Sequence, residues 1–522
     1  MAKPNEKLAA SLIRLENLQK GGRRVFRSIE LTRVHRERLL RNGYLQQVMK
    51  GWLISSSPNA HPGDTTSWFA SFWAFCVSYC TARFGEAWHL APELSLLLHA
   101  GKTVIPRQVV IYAPKGANNT VQLPFGTSLY NLKQEDTRAE EDVTTRDGLR
   151  ILVPEAALIK VPKAFFVRYP VEARIALSGV RDAADVLGRL LDGGHSAVAG
   201  RLAGAFRRIG LAAIADEILK VMKSAGYDVR ESDPFEPAQA FSALKGTKEP
   251  IARRLQSLWE TFREPVIAAF PKSPEPPSNP KAYLAFVDGI YCDDAYHSLS
   301  IEGYRVTPSL IERVRSGNWD PDDNEADRRS QDALAARGYW QAFQLVREAV
   351  GEVIADANPG DLVRNTHRDW YRGLFQPFVA AGLFSSSVLS GYRNEAVFLR
   401  GSRHVPPRDE AVSDAMPALF GLLEEETVPS VRAVLGHWLF GYIHPYPDGN
   451  GRMARFVMNV LLASGGYPWT VIRVQDRTAY LAALESASTD QDIKPFARFV
   501  AEQVTRSRGA DGVVRHKSGS KY

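Results

Sequence analysis

Between His444 and Arg455 the chain is forced out of helical conformation, although apolar helical sequence stands on both sides. Residues 431–443 (VRAVLGHWLFGYI) read as a buried helix, and Pro445 disfavours helical backbone at the residue before it. Gly449-Asn450-Gly451 then offers a turn able to adopt positive φ with exposed N–H groups. The spacing of Met453, Phe456, Val457, Val460 and Leu461 predicts a second helix from about Arg452 to Ala463. Any fold of this chain must therefore join two apolar helices through a polar turn that holds a histidine, an aspartate and two arginines.

That set of residues points to chemistry on a polyphosphate. The N-terminus of the second helix is an anion site through its free donors and positive dipole end. Arg452 and Arg455, three apart, share a helix face and add planar forks for phosphate oxygens. Asp448 stands beside this cradle, and Mg²⁺ needs only one or two carboxylates when phosphates supply its other oxygens. His444, at the mouth of the turn, can take a proton from an incoming hydroxyl.

The run His444-Pro445-Tyr446-Pro447-Asp448-Gly449-Asn450-Gly451-Arg452, with Arg455, resembles the signature of the Fic family. It departs from that pattern only in Tyr446, where the family has a phenylalanine that anchors the core. The resemblance spans roughly residues 283–505 and implies transfer of AMP from ATP to a Ser, Thr or Tyr hydroxyl of a target protein. It implies His444 as general base, Asp448 as the Mg²⁺ ligand, and Gly449, Asn450 and Gly451 as the anion nest. Arg452 would neutralise the leaving phosphates and Arg455 would hold the γ-phosphate. Gly391-Tyr392-Arg393, with Val397 and Leu399, resembles the family's β-hairpin flap, whose edge docks the target by strand augmentation. Ser298, Glu302 and Gly303 resemble its inhibitory motif, with Glu302 forming a bidentate pair with Arg455 in place of the γ-phosphate. Relatives that use other nucleotides or phosphocholine leave the donor open.

The rest of the chain carries a separate signal. Residues 1–50 hold 12 Lys/Arg and 4 Asp/Glu, whereas the other 472 residues hold 53 and 54. Positive charge gathered in one module is the pattern of contact with a polyanion. Leu8, Leu12, Leu15 and Leu18 mark a first helix, residues 31–41 a second, and 44–54 a β-hairpin. This order resembles the winged-helix modules of transcriptional regulators and antitoxin-like proteins. It makes a DNA-binding regulator with a regulatory or self-modifying C-terminal part the alternative function.

The expected fold class is multidomain α+β. A winged-helix-like basic module covers residues 1–60 and a small α+β domain of unknown task covers 61–270. Strands are expected at 103–105, 108–112, 120–123 and 149–153. A Pro-rich linker at 271–281 precedes an all-α domain with a β-hairpin flap at 282–505, and a disordered basic tail fills 506–522. Residues 65–82 are uncharged and aromatic, and read as a buried helix rather than a membrane span. Cys76, Cys80 and Cys292 are too few for a disulfide framework, so a cytoplasmic protein is expected. A homodimer is compatible with this reading. The acidic run 320–327 lacks the glycine and glutamate of a calcium loop, His367 and His437 read as core residues or supports of the site, and Trp469 suits either core packing or the adenine side of a nucleotide.

Overall fold

Leu8, Leu12, Leu15 and Leu18 fall on helix α1 (Pro4–Gln19), as their spacing requires. The computed structural model describes residues 4–61, 63–135, 140–235, 249–274, 279–318 and 330–518. After α1 come strand β1 (Val25–Arg27), a 3-10 turn (Ser28–Glu30), helix α2 (Arg33–Arg41) and strands β2 (Leu45–Met49) and β3 (Trp52–Ser55). β3 lies between β1 and β2 and is antiparallel to both. Gly43, at φ 75°, supplies the left-handed residue after the Asn42 cap of α2.

Leu15, Phe26, Leu31, Leu39, Leu45 and Leu53 close a small core between these helices and the sheet. Val25, Trp52 and Ile54 instead join the aromatic core around helix α3 (Thr66–Phe84), with Phe72, Phe75 and Cys76. The uncharged stretch is therefore a buried helix. No helix among the described residues is long and apolar enough to cross a membrane. The first sixty residues do not form an independent module, because one side of their sheet completes the core of the segment that follows.

Strand β4 (His89–Leu90) and helix α4 (Pro92–His99) lead to β5 (Gln108–Ala113), β6 (Asn119–Gln122) and β7 (Ser128–Lys133). These strands form one sheet in the order β4-β5-β7-β6, parallel only between β5 and β7. The strand expected at 103–105 carries no ladder, and Ile105 N–H donates to Arg403 O (2.8 Å) instead. β8 (Val143–Arg146) and β9 (Leu149–Leu152) form a hairpin. Six helices follow: α5 (Pro154–Lys160), α6 (Lys163–Arg168), α7 (Pro170–Gly179), α8 (Ala184–Asp192), α9 (Ser196–Arg208) and α10 (Ala212–Ser224). They surround a core of their own that includes Phe166, Leu177, Leu202 and Phe206.

The chain divides into Met1–Lys245 with Phe398–Val405, and Gly246–Val397 with Pro406–Tyr522. This boundary lies ahead of the one expected at residue 270, because helix α11 (Pro250–Ala269) belongs to the second unit. There Arg254 Nε donates to Tyr442 Oη (2.9 Å), and Trp259 Nε1 (3.1 Å) and Arg263 Nε (3.0 Å) both donate to the buried Glu426 carboxylate. The second unit continues with α12 (Pro280–Ile301), α13 (Pro308–Arg315), α14 (Gln331–Ile354), α15 (Pro359–Ala380), α16 (Asp409–Glu425) and α17 (Pro429–Ile443). It ends with α18 (Asn450–Ala463), α19 (Arg477–Glu485) and α20 (Lys494–Ser518). Part of the Pro-rich stretch and the acidic run 320–327 lie outside the described residues.

Two further expectations are corrected. α20 continues beyond residue 505, where a disordered tail was expected. Arg506 Nη1 pairs with Asp476 (2.8 Å), and Arg508 Nη2 donates to Lys272 O (3.0 Å). The expected flap at Gly391–Ser402 carries no strand. Its backbone bonds elsewhere: Arg393 N–H donates to Pro445 O (2.9 Å), and Gly401 N–H to Thr65 Oγ1 (3.1 Å).

Candidate active site

α17 and α18 meet at the expected turn, and the turn is held by side chains rather than by glycine freedom alone. Asn450 Oδ1 accepts from Tyr446 N–H (2.9 Å), while its Nδ2 donates to Tyr446 O (2.7 Å). Tyr446, fully buried, stacks on Tyr371 at 3.7 Å with the rings nearly parallel (6°). The ring thus fills the anchoring place that the resemblance gives to phenylalanine. Of the three residues expected to form a nest, only Gly449 has positive φ (78°) and caps α18. Asn450 and Gly451 are the first residues of the helix. Gly451 leaves room for Glu302: a Cβ there would meet its Oε1 and displace the carboxylate.

His444 caps α17 in the left-handed region, at φ 52° and ψ 60°. Burial holds its imidazole down to about pKa 4, with the Arg393 charge acting in the same direction. The ring is therefore neutral at pH 7 and able to accept a proton.

Arg452 and Arg455 both lie on the first turns of α18 and are almost wholly buried, at 0% and 4% exposure. The Arg452 guanidinium sits between the rings of Tyr304 (5.3 Å) and Phe375 (5.1 Å). Its Nε and Nη1 have no hydrogen-bond partner, and its Nη2 is 3.6 Å from Asp448 Oδ2. Arg455 Nε donates to Ser298 Oγ (2.9 Å), and its Nη2 donates to Ser298 O (3.0 Å) and Glu302 Oε1 (2.7 Å). The ion pair is thus made through one carboxylate oxygen, not two as expected: Ser298 takes Nε and shares Nη2, and Nη1 has no hydrogen-bond partner. Burial pushes the Glu302 carboxyl up, but Arg455 and Arg452 together hold it below the ordinary glutamate range.

The end of α12 that carries Glu302 is fastened independently. Arg477 Nε donates to Ile301 O (2.8 Å), and Gly303, at φ 96°, turns the chain toward Tyr304. Two turns back on α12, buried Asp294 accepts from Tyr339 Oη (2.6 Å), and burial raises its carboxyl to about 6.

Asp448 is the exposed member, with 59% of its side chain accessible and one oxygen accepting from Gly449 N–H (2.6 Å). Among the described residues no group of three or more His, Cys, Asp or Glu forms a metal cage. A single open carboxylate beside an anion cradle still fits Mg²⁺, whose remaining positions phosphates and water fill.

The structure brings together His444, Asp448, Gly449, Asn450, Gly451, Arg452, Arg455, Ser298, Glu302 and Gly303. The flap residues divide. Tyr392 Oη contacts His367 Nε2 (2.9 Å), and Arg393 is a buried strut described below. His437 bonds to Tyr480 Oη (2.7 Å), and the buried Trp469 packs on Phe343. Sequence reasoning missed Tyr304 and Phe375. Only the aromatic residue directly after Glu302-Gly303 could have drawn attention to the first.

A profile of the Fic/DOC family matches residues 360–462. The protein adenylyltransferase Fic of Nematostella vectensis is 42% identical over 120 residues, covering 22% of this chain and 27% of that protein. That of Drosophila virilis is 37% identical over 216 residues, 41% of each chain. The chain spans less than half the length of these curated relatives. The solved structure of Fic-1 from C. elegans aligns with a TM-score of 0.37 and 16% identity, covering 66% of this chain and 97% of that one. Residues 360–462, which carry His444, Asp448, Arg452 and Arg455, are thus similar to the Fic/DOC family, whereas Ser298, Glu302 and Tyr304 lie outside the matched segment.

Proposed function

We propose that this chain transfers AMP from ATP to a hydroxyl side chain of a target protein, and that Glu302 restrains the reaction. The observation that carries the reading is the pair of buried arginines with uncommitted N–H groups beside a neutral histidine. Such groups are costly to bury unless a ligand satisfies them. In the reaction the target oxygen bonds to the α-phosphorus while its proton passes to His444. The bond from that phosphorus to the bridging oxygen breaks, and pyrophosphate leaves. Arg452 offers its two free donors to the leaving phosphates. Asp448 would hold Mg²⁺, which when bound neutralises charge on the α- and β-phosphates.

Glu302 occupies the donor face of Arg455 that a γ-phosphate would use, and Tyr304 covers one face of Arg452. The inhibitory segment therefore contacts both arginines. Incubation with ATP labelled at the α-phosphate tests the reading. Glu302→Gly should raise label on the protein itself at least tenfold, and His444→Ala should abolish it in either background. Equal labelling of parent and Glu302→Gly would sink the brake, and label surviving His444→Ala would sink the base.

A second reading concerns residues 4–55. Their element order, with β3 between β1 and β2, supports a winged helix that contacts duplex DNA. Arg33, Arg41 and Lys50 are its exposed cations on α2 and the β2–β3 turn. Arg36 and Arg38 are partly engaged inside the module, with Ser28 O (3.0 Å) and Ser11 Oγ (2.8 Å).

A further inference from the structure

Arg393 is 4% exposed, and among the described residues no carboxylate lies within ion-pair distance of it. Its hydrogen bonds all go to backbone carbonyls, and the Asp409 carboxylate acts on it only at longer range. Nε donates to His444 O (2.8 Å), Nη1 to Glu395 O (2.9 Å), and Nη2 to Pro407 O and to Ile443 O (3.4 Å). Its own N–H donates to Pro445 O (2.9 Å). The residue thus grips the carbonyls of Ile443, His444 and Pro445, three in succession. At the centre of that grip is a histidine in the left-handed region, which non-glycine residues hold only when their surroundings over-determine it.

We propose that Arg393 is a positioning residue for His444: its buried guanidinium locks the backbone turn that aims the imidazole at the transfer site. A planar five-donor fork suits this task, because one rigid group spans carbonyls on both sides of the turn. Lysine, with one nitrogen, reaches only part of the set. The inference rests on the transfer reaction proposed above.

The charged groups acting on the His444 ring are Arg393, Glu302 and Asp448. Removing the Arg393 cation makes the imidazolium less unfavourable, so the acidic limb of the rate profile should move to higher pH. The test uses the full chain with Glu302→Gly, adding Arg393→Lys or Arg393→Gln. Measured are kcat and KM for ATP in labelling, the pH profile of kcat, and binding of a fluorescent ATP analogue. Both variants should lose about 10- to 100-fold in kcat while KM and analogue binding stay within about twofold of the parent. Arg393→Gln alone should shift the acidic limb upward, since lysine keeps the charge. A kcat within about threefold of the parent in both variants overturns the proposal. So does joint loss of analogue binding and cooperative melting in both, which would make Arg393 a general fold residue. Absence of label in the Glu302→Gly parent itself counts against the transfer reaction and leaves Arg393 to be judged by the pH titration of His444, where an unmoved midpoint in Arg393→Gln overturns it.

Discussion

His444 is half-buried, neutral and backbone-strained, and each property has its own signature. Its folded pKa of about 4 lies below the ordinary 6.5. The stability it contributes is complete above 6.5 and is lost as pH falls toward 4, because the unfolded chain then binds the proton first. AMP transfer should accordingly hold its rate down to about pH 5 and decline near 4, as read from initial rates across buffers. Asp294 has the opposite sign. Its carboxyl is raised to about 6, so its contribution is full below the ordinary 3.8 and fades as pH rises through 6. Asp294→Asn should flatten the stability profile between those values in denaturant titrations. Tyr304→Leu removes a ring from Arg452 and should raise labelling about two- to tenfold in the parent, with little further gain on Glu302→Gly. An equal gain in both backgrounds would show that the ring acts outside the brake.

Elements pack here through places where a side chain is missing. On α14, a Cβ at Gly338 would overlap the Leu374 carbonyl of α15, and one at Gly373 of α15 would press less severely on the Ala342 backbone of α14 (3.0 Å). Because backbone meets backbone, Gly338→Ala should cost about 1–3 kcal/mol in thermal or denaturant melts. Gly449→Ala adds a Cβ 2.7 Å from the Phe375 ring at φ 78°, and should cost a similar amount. Helices α17 and α18 and the turn between them were legible because Pro445 and the apolar spacing are local signals. Glu302 was legible only through its motif, since its partner lies 153 residues away. The hairpin at the flap was expected from resemblance alone, which does not say where this chain's backbone donors will bond. β7 went unnoticed because the sequence does not reveal that Ser128–Lys133 pairs in parallel with a strand begun twenty residues earlier.

At the scale of the molecule, the division at residue 245 assigns α11 to the unit that carries the candidate site, through Arg254, Trp259 and Arg263. A piece starting at residue 271 should therefore be less stable than one starting at 249, as compared by melting. The shared core of Val25, Trp52 and Ile54 with α3 also makes removal of residues 1–60 a poor test of DNA binding. Substituting Arg33, Arg41 and Lys50 together by alanine should instead reduce duplex binding and flatten its salt dependence in mobility shifts, while labelling is unchanged. Unaltered binding would exclude that surface. The acidic group that faces Arg455 belongs to the same unit as the arginine, at the end of a helix fastened by Arg477. Its local concentration is therefore a constant of the fold, whereas that of ATP is set by the solution. Under the proposed reaction the two compete for one cation, so the degree of silence is a ratio. Fraying the last turn of α12 changes that ratio without altering a single residue that touches substrate.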